Sequence, residues 1–212
     1  MPRGAPGLSR HRIIAAAAEL AKERGLAALT MRDLARALNV GTMSLCYHVP
    51  DRAALEDGLT ELVWSEVELP SGEAADEWRQ RVGAIAASWR RVMLDNHALL
   101  PLLLTRRSTG PCGLAPVEAL LCAFGDAGYD ATDSVRCFRL VTAFVVGFVE
   151  AEVARSLRDP VATAAAIARD TRARYPHLLA AVRAAAKMNP DDEFAFGLAH
   201  ILDSLEASRE RP

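Results

Sequence analysis

Apolar residues recur at helical spacing along almost the whole chain: Ile13, Ala16, Ala17 and Leu20; Leu55, Leu59, Leu62 and Val63; Leu198, Ile201, Leu202 and Leu205. No stretch combines β-branched enrichment with period-two alternation between turn signals, so strands are not expected. Breaks at Gly25, Asn39 to Gly41, Val49-Pro50, Leu69 to Gly72, Ser108 to Gly113, Gly128, Asp159-Pro160, Tyr175-Pro176 and Asn189-Pro190 leave roughly nine or ten helices. The fold class is therefore all-α. The first three helices are short and end at Pro50, and the later ones are longer and more apolar. At 212 residues and 51% apolar, the chain can bury the core of one large domain or two small ones.

A net charge of −2 by itself argues against a nucleic-acid binder, but charge is unevenly distributed. Residues 1–52 carry eight Lys/Arg against four Asp/Glu, whereas the remainder carries 17 against 23. A basic module joined to an acidic one is the reading, with a boundary in or just after the fourth helix: a domain over residues 1–65 and a second over 66–212.

Cys46, Cys112, Cys122 and Cys137 show no CxxC spacing, and no charged segment followed by an apolar one opens the chain. A reduced, cytoplasmic location is expected. The longest apolar run, Val141 to Val149, falls well short of the ~20 residues a membrane helix needs and reads as a buried helix. His97 and His177 are lone histidines without a second ligand at metal spacing, so neither a metal nor a cofactor is implied.

The segment "TMRDLARALNVGTMSLCYH" parses as a helix, a three-residue turn and a second short helix. Thr30 can cap the first, with Asp33 in capping-box position, and Leu34, Ala35 and Leu38 face inward. Asn39 stands where a left-handed residue would end that helix. Val40 is expected to plug the turn into the core, and Gly41 to let the chain swing into the next helix. That helix points Leu45 and Val49 inward and exposes Thr42, Met43, Ser44, Cys46, Tyr47 and His48. Small and polar tips on a docked helix suit the DNA major groove, and hydroxyls, Tyr, His and Arg52 suit phosphate oxygens. An ordinary helical hairpin with a solvated face has the same pattern.

"IIAAAAELAKERGLAALTMRDLARALNVGTMSLCYHVPDRAALEDGL" resembles the DNA-binding domain of the TetR family of bacterial repressors, over roughly residues 9 to 65. The tail, "EFAFGLAHILDSLEA", resembles the last helix of the tetracycline-repressor-like subgroup. The resemblance implies base contacts from Arg32, Thr42, Met43 and Cys46, and backbone contacts from Ser44, Tyr47, His48 and Arg52. Arg3, Arg10 and Arg12 would form a basic arm, or merely a solubilising tail. Cys46 stands where the family commonly has tyrosine, which leaves the operator sequence open, and Asn39 replaces the commoner glycine.

Trp64 and, beyond Leu69, Trp78, Trp89, Met93, Phe124, Phe138, Phe144 and Phe148 could line an apolar cavity, although each alone also fits a core position. The resemblance implies a small-molecule effector there, for which Trp64, Trp89, Met93, His97, Phe124, Phe138 and Phe144 are the candidate residues. Ile85 and Leu102 or Leu103 stand where the tetracycline repressor has its ligand-binding Asn and metal-binding His, so tetracycline with magnesium is not the expected ligand. Helices over Thr132 to Leu157 and Asp191 to Ser208 offer Val135, Phe138, Val141, Val145, Leu198, Ile201, Leu202 and Leu205 to a second copy. A monomer with a self-buried core is the alternative. Among the cysteines, Cys137 beside Arg136 is the least poor redox candidate.

No GxSxG, P-loop, HExxH, GxGxxG or Glu-x-x-His pattern is present, so an enzyme is not expected. The expected function is a ligand-responsive regulator, a repressor that binds double-stranded palindromic operator DNA as a homodimer, released by a small apolar or amphipathic effector and with no membrane partner. The competing reading is an all-helical protein-interaction module without sequence-specific DNA binding.

Overall fold

The computed structural model describes residues 7–71, 77–106, 108–156 and 176–209. Arg3, Gly72, the helix end at Leu157, the Asp159-Pro160 break and Tyr175 lie outside them. Among the described residues the regular structure is wholly helical: α1 (Arg10–Arg24), α2 (Met31–Ala37), α3 (Thr42–His48), α4 (Arg52–Trp64), α5 (Trp78–Asp95), α6 (Leu100–Thr105), α7 (Pro111–Asp126), α8 (Ala131–Ser156), α9 (Pro176–Ala185) and α10 (Pro190–Arg209). Short 3-10 turns at Leu26–Ala28 and His97–Leu99 complete it.

The chain forms two compact units, one of residues 1–71 and 87–120, the other of 72–86 and 121–212. The boundaries of these units fall inside α5 and α7. The segment 87–120 joins the first unit through Leu99 and Arg106, which meet α1 and α4.

In the first unit α1 starts where Ser9 accepts the Arg12 N–H at 3.3 Å, and it buries Ile13, Ile14, Ala17, Ala18 and Ala21. Arg10 and Arg12 thus belong to the first turn of a helix and not to a terminal arm. Helix α4, capped by Asp51 on the Ala54 N–H at 2.7 Å, buries Leu55, Gly58, Leu59, Thr60 and Val63. Its approach to α1 is so close that a Cβ at Gly58 would fall inside the Ile14 side chain. Each large apolar side chain buried here contributes about 1.5–3 kcal/mol relative to exposure.

In the second unit α8 and α10 pack together. Cys137, Val141, Val145 and Val149 form a buried stripe at four-residue spacing on α8, Phe194, Leu198, Leu202 and Leu205 are buried on α10, and the two helices meet where Phe144 and Phe148 of α8 stack on Phe194. Of the residues expected to meet a second copy, Val141, Val145, Leu198, Leu202 and Leu205 are buried within the chain. Val135 stays exposed, Phe138 and Ile201 are half-buried, and the large apolar residues otherwise left outside on these two helices are Leu140 and Phe196. Arg79 holds α5 to α10 through Glu206 at 2.6 Å and through Asp203.

The turn between α2 and α3 holds Asn39 at φ 52°, the left-handed conformation expected of it. Val40 and Leu38 are only half-buried, and Gly41, at φ −71° and ψ 145°, adopts a conformation open to any residue. Asn39→Val should destabilise the protein by about 1–2 kcal/mol and Asn39→Gly by almost nothing. Urea denaturation midpoints of the two variants check this.

Candidate nucleic-acid interface

Helices α2 and α3 form the site, and local chemistry sets both. Thr30 accepts the Asp33 N–H at 3.1 Å and donates its hydroxyl to the Asp33 carboxylate at 2.5 Å. The box is thus not reciprocal in the usual way, since Asp33 returns to the threonine hydroxyl instead of its backbone N–H. That hydrogen bond from Thr30, followed by the Arg36 guanidinium at 2.8 Å, holds the Asp33 carboxyl below the usual carboxylate range.

Helix α3 has no side-chain cap and is seven residues long, too short to persist in water unaided. Leu45 and Val49, both fully buried, seat it. The opposite side is the exposed one. Met43 is 85% exposed and Tyr47 87%, one turn apart, with no internal packing to explain side chains of that size. Thr42 and Ser44 are exposed beside them, and so is Arg32 on α2. Cys46 and His48 are half-buried, and the His48 ring meets Tyr47 edge-on at 5.2 Å. Arg52 differs from the others. Its Nε donates to Glu56 Oε1 at 2.6 Å, and its terminal nitrogens donate to the carbonyls of Leu29 and of Leu26, the latter at 3.4 Å.

Helix α4 carries an acidic ridge that no sequence pattern indicated. Arg106, just past the end of α6, donates to Glu56 at 3.1 Å, to Asp57 at 2.6 Å and to the Ala53 carbonyl at 3.1 Å. One turn on, Glu61 accepts the Ser108 hydroxyl at 3.0 Å and the Cys112 N–H at 2.7 Å. Glu61 thereby caps α7 from outside. It can do so because Gly110 has no side chain, and a Cβ there would overlap the Glu61 carboxylate. These partners stand 49 and 51 residues apart in sequence, beyond the reach of any local motif.

The expected effector residues divide between the units. In the first, Trp89 and Met93 are buried, Trp64 is half-buried with its ring 6.0 Å from Trp89, and His97 is exposed with Nδ1 at the Leu94 carbonyl. In the second, Phe124 is fully buried in a triad with Trp78 and Tyr129, Phe144 clusters with Phe148 and Phe194, and Phe138 is half-buried. A cavity of about 240 Å³ lies in the first unit against Arg10, Asp57, Thr60, Glu61 and Ser108, and none of the expected effector residues lines it. Burial, together with the Asp133 carboxylate, pushes the Cys137 thiol up, which disfavours its thiolate. Among the described residues no group of His, Cys, Asp and Glu could hold a metal, and no helix is long and apolar enough to cross a membrane.

Residues 13–56 match the family described as "Bacterial regulatory proteins, tetR family", and residues 69–209 match "Tetracyclin repressor-like, C-terminal domain". An HTH-type transcriptional regulator of Saccharopolyspora erythraea is 35% identical over 83% of this chain and 75% of its own length. The tetracycline repressor protein class A from transposon 1721 of Escherichia coli is 31% identical over 95% of this chain and 92% of its own. The structure of ActR from Streptomyces coelicolor in complex with actinorhodin superposes with a TM-score of 0.81, at 25% identity, over 97% of this chain and 100% of that one.

Burial pushes the Glu61 carboxyl up, but the Cys112 N–H, the Ser108 hydroxyl and the Gly113 N–H outweigh it, and the group lies below its ordinary value. Asp57 is held down by the Arg106 hydrogen bond first. A carboxylate lowered in the folded state stabilises it fully above the unfolded range of about pH 4–5, and that stability disappears as pH falls through the lowered values. Glu61→Gln should therefore lower the melting temperature at pH 7 and flatten its decline below about pH 5. Thermal unfolding followed from pH 7 downward reads both effects.

Proposed function

The chain belongs to the TetR family and is a ligand-responsive transcriptional regulator, not an enzyme, and from that premise we propose how it acts: a homodimer that grips a palindromic operator and leaves it when a small apolar or amphipathic effector binds. The observation that carries this reading is the face of α3. A short helix presents Met43 and Tyr47 almost fully to solvent while Leu45 and Val49 lock it from behind.

Thr42 and Met43 at the start of α3, with Arg32 on α2, are placed to read bases: a hydroxyl for either donor or acceptor, a thioether for a thymine methyl, a guanidinium for guanine. Cys46, half-buried, offers a smaller contact than an aromatic would. Ser44, Tyr47 and His48 take the phosphates. A two-fold dimer would set two such helices roughly 34–36 Å apart, one turn of DNA, and the exposed Val135, Leu140 and Phe196 support an apolar partner surface on the helices α8 and α10.

For the effector, the buried Trp89 and Met93 with Trp64, and the second unit's Phe124, Phe138 and Phe144, support an apolar or aromatic molecule. His97, exposed, contributes at most at an edge. ActR, similar to this chain, was solved with actinorhodin. Ile85, Leu102 and Leu103 are buried and apolar, so these positions themselves supply no ligand for a metal-chelated drug. Release requires that the effector favour the geometry that does not fit DNA, and a coupling of ~1–3 kcal/mol changes operator affinity roughly 5- to 150-fold. A cytoplasmic site of action accords with a DNA ligand. The alternative, an interaction module that reads no sequence, is not favoured.

Fluorescence anisotropy against the DNA upstream of its own reading frame, titrated across salt with excess competitor, tests the reading. Competitor-resistant binding supports it, and binding no tighter than to random DNA counts against it. Arg32→Ala should cost about 1–3 kcal/mol and relax preference at one base pair, whereas Tyr47→Ala should weaken binding to all sequences alike. Phe196→Glu should shift sedimentation from dimer to monomer.

A further inference from the structure

The resemblance to other regulators assigns Arg52 to the DNA backbone, and its internal bonding points elsewhere. All three of its nitrogens already have partners within the chain, Glu56, the Leu29 carbonyl and the Leu26 carbonyl, although the side chain is 41% exposed. Leu26 opens the 3-10 turn and Leu29 follows it, the turn that delivers the chain to Thr30, the cap of α2. The guanidinium thus joins the first turn of α4 to the start of the recognition motif. Glu56 is itself held by both oxygens, Oε1 by Arg52 and Oε2 by Arg106 at 3.1 Å, and Arg106 is anchored in turn on Asp57 and the Ala53 carbonyl. An arginine already 2.6 Å from one carboxylate offers an approaching phosphate little unbalanced charge.

We propose that Arg52 is a positioning residue: through Glu56 and the Leu26 and Leu29 carbonyls it fixes the tilt of α2 and α3, and it does not hold a phosphate. The proposal rests on the DNA-binding reading above. It makes a prediction of opposite sign to the phosphate reading. If Arg52 gripped DNA, removing the Glu56 charge would release the arginine and remove an anion near the backbone, so binding would tighten. As a positioning pair, the two residues lose together.

The full chain and its Glu56→Gln, Arg52→Lys, Arg52→Met and Glu56→Gln/Arg52→Lys variants are titrated by anisotropy across salt, on the upstream DNA and on a scrambled duplex. Glu56→Gln is nearly isosteric, and thermal unfolding confirms that each variant is folded. Lysine keeps the charge for a phosphate but cannot span a carboxylate and two carbonyls. The expected result is a roughly tenfold loss of operator affinity for each single variant, a double variant no worse than either, an unchanged salt slope and unchanged binding to the scrambled duplex. Tighter binding by Glu56→Gln, or wild-type affinity in Arg52→Lys, overturns the proposal. A salt slope reduced by about 0.9 in Arg52→Met does so as well, because a shift of that size means that the arginine had been neutralising one phosphate. Wild-type protein that binds neither duplex selectively overturns the DNA-binding reading itself, and that result appears before any substitution is made.

Discussion

The close approach of α1 and α4 is the constraint on which the first unit is built. Alanines at 17, 18 and 21 and the bare Cα of Gly58 let the two helices meet at short range, with Ile13, Leu55 and Leu59 sealed around the crossing. Close packing of this kind tolerates little adjustment, so groups mounted on the outer side of α4 keep fixed positions. The acidic ridge uses that rigidity. Glu56, Asp57 and Glu61 each receive a partner from a different part of the unit: the first turn of α4 itself, the end of α6 and the start of α7.

Charge compensation on α4 is local and nearly complete, which explains why the unit can carry three carboxylates close to a surface proposed to meet DNA. Glu56 lies between two arginines, Asp57 on one, and Glu61 on backbone donors at a helix start, where negative charge is favoured.

What could be read from the sequence was what the sequence decides locally. Helical periodicity, the Thr30 cap and the left-handed Asn39 each depend on residues within four positions of one another. The inward Leu45 and Val49 and the outward Met43 and Tyr47 follow from the same short-range geometry. The sequence is least informative where the partner is remote. Apolar residues at four-residue spacing such as Val141 and Val145 look the same whether they are buried within their own chain or meet a second copy. Arg52 looks like any exposed cation until the carbonyls of Leu26 and Leu29 are placed beside it. Arg10 and Arg12, read as an arm, are drawn into α1 by Ser9.

Helix α3 buries one residue of its own, ends on another, and starts at a glycine that lends no side chain. It has no reserve of stability apart from what its base supplies. Its helical state is therefore populated only in step with the intactness of α1, α2 and α4, and warming that loosens those helices removes the reading surface before the chain as a whole unfolds. Operator occupancy in such a protein has a thermal ceiling set by core packing, whatever side chains face the groove.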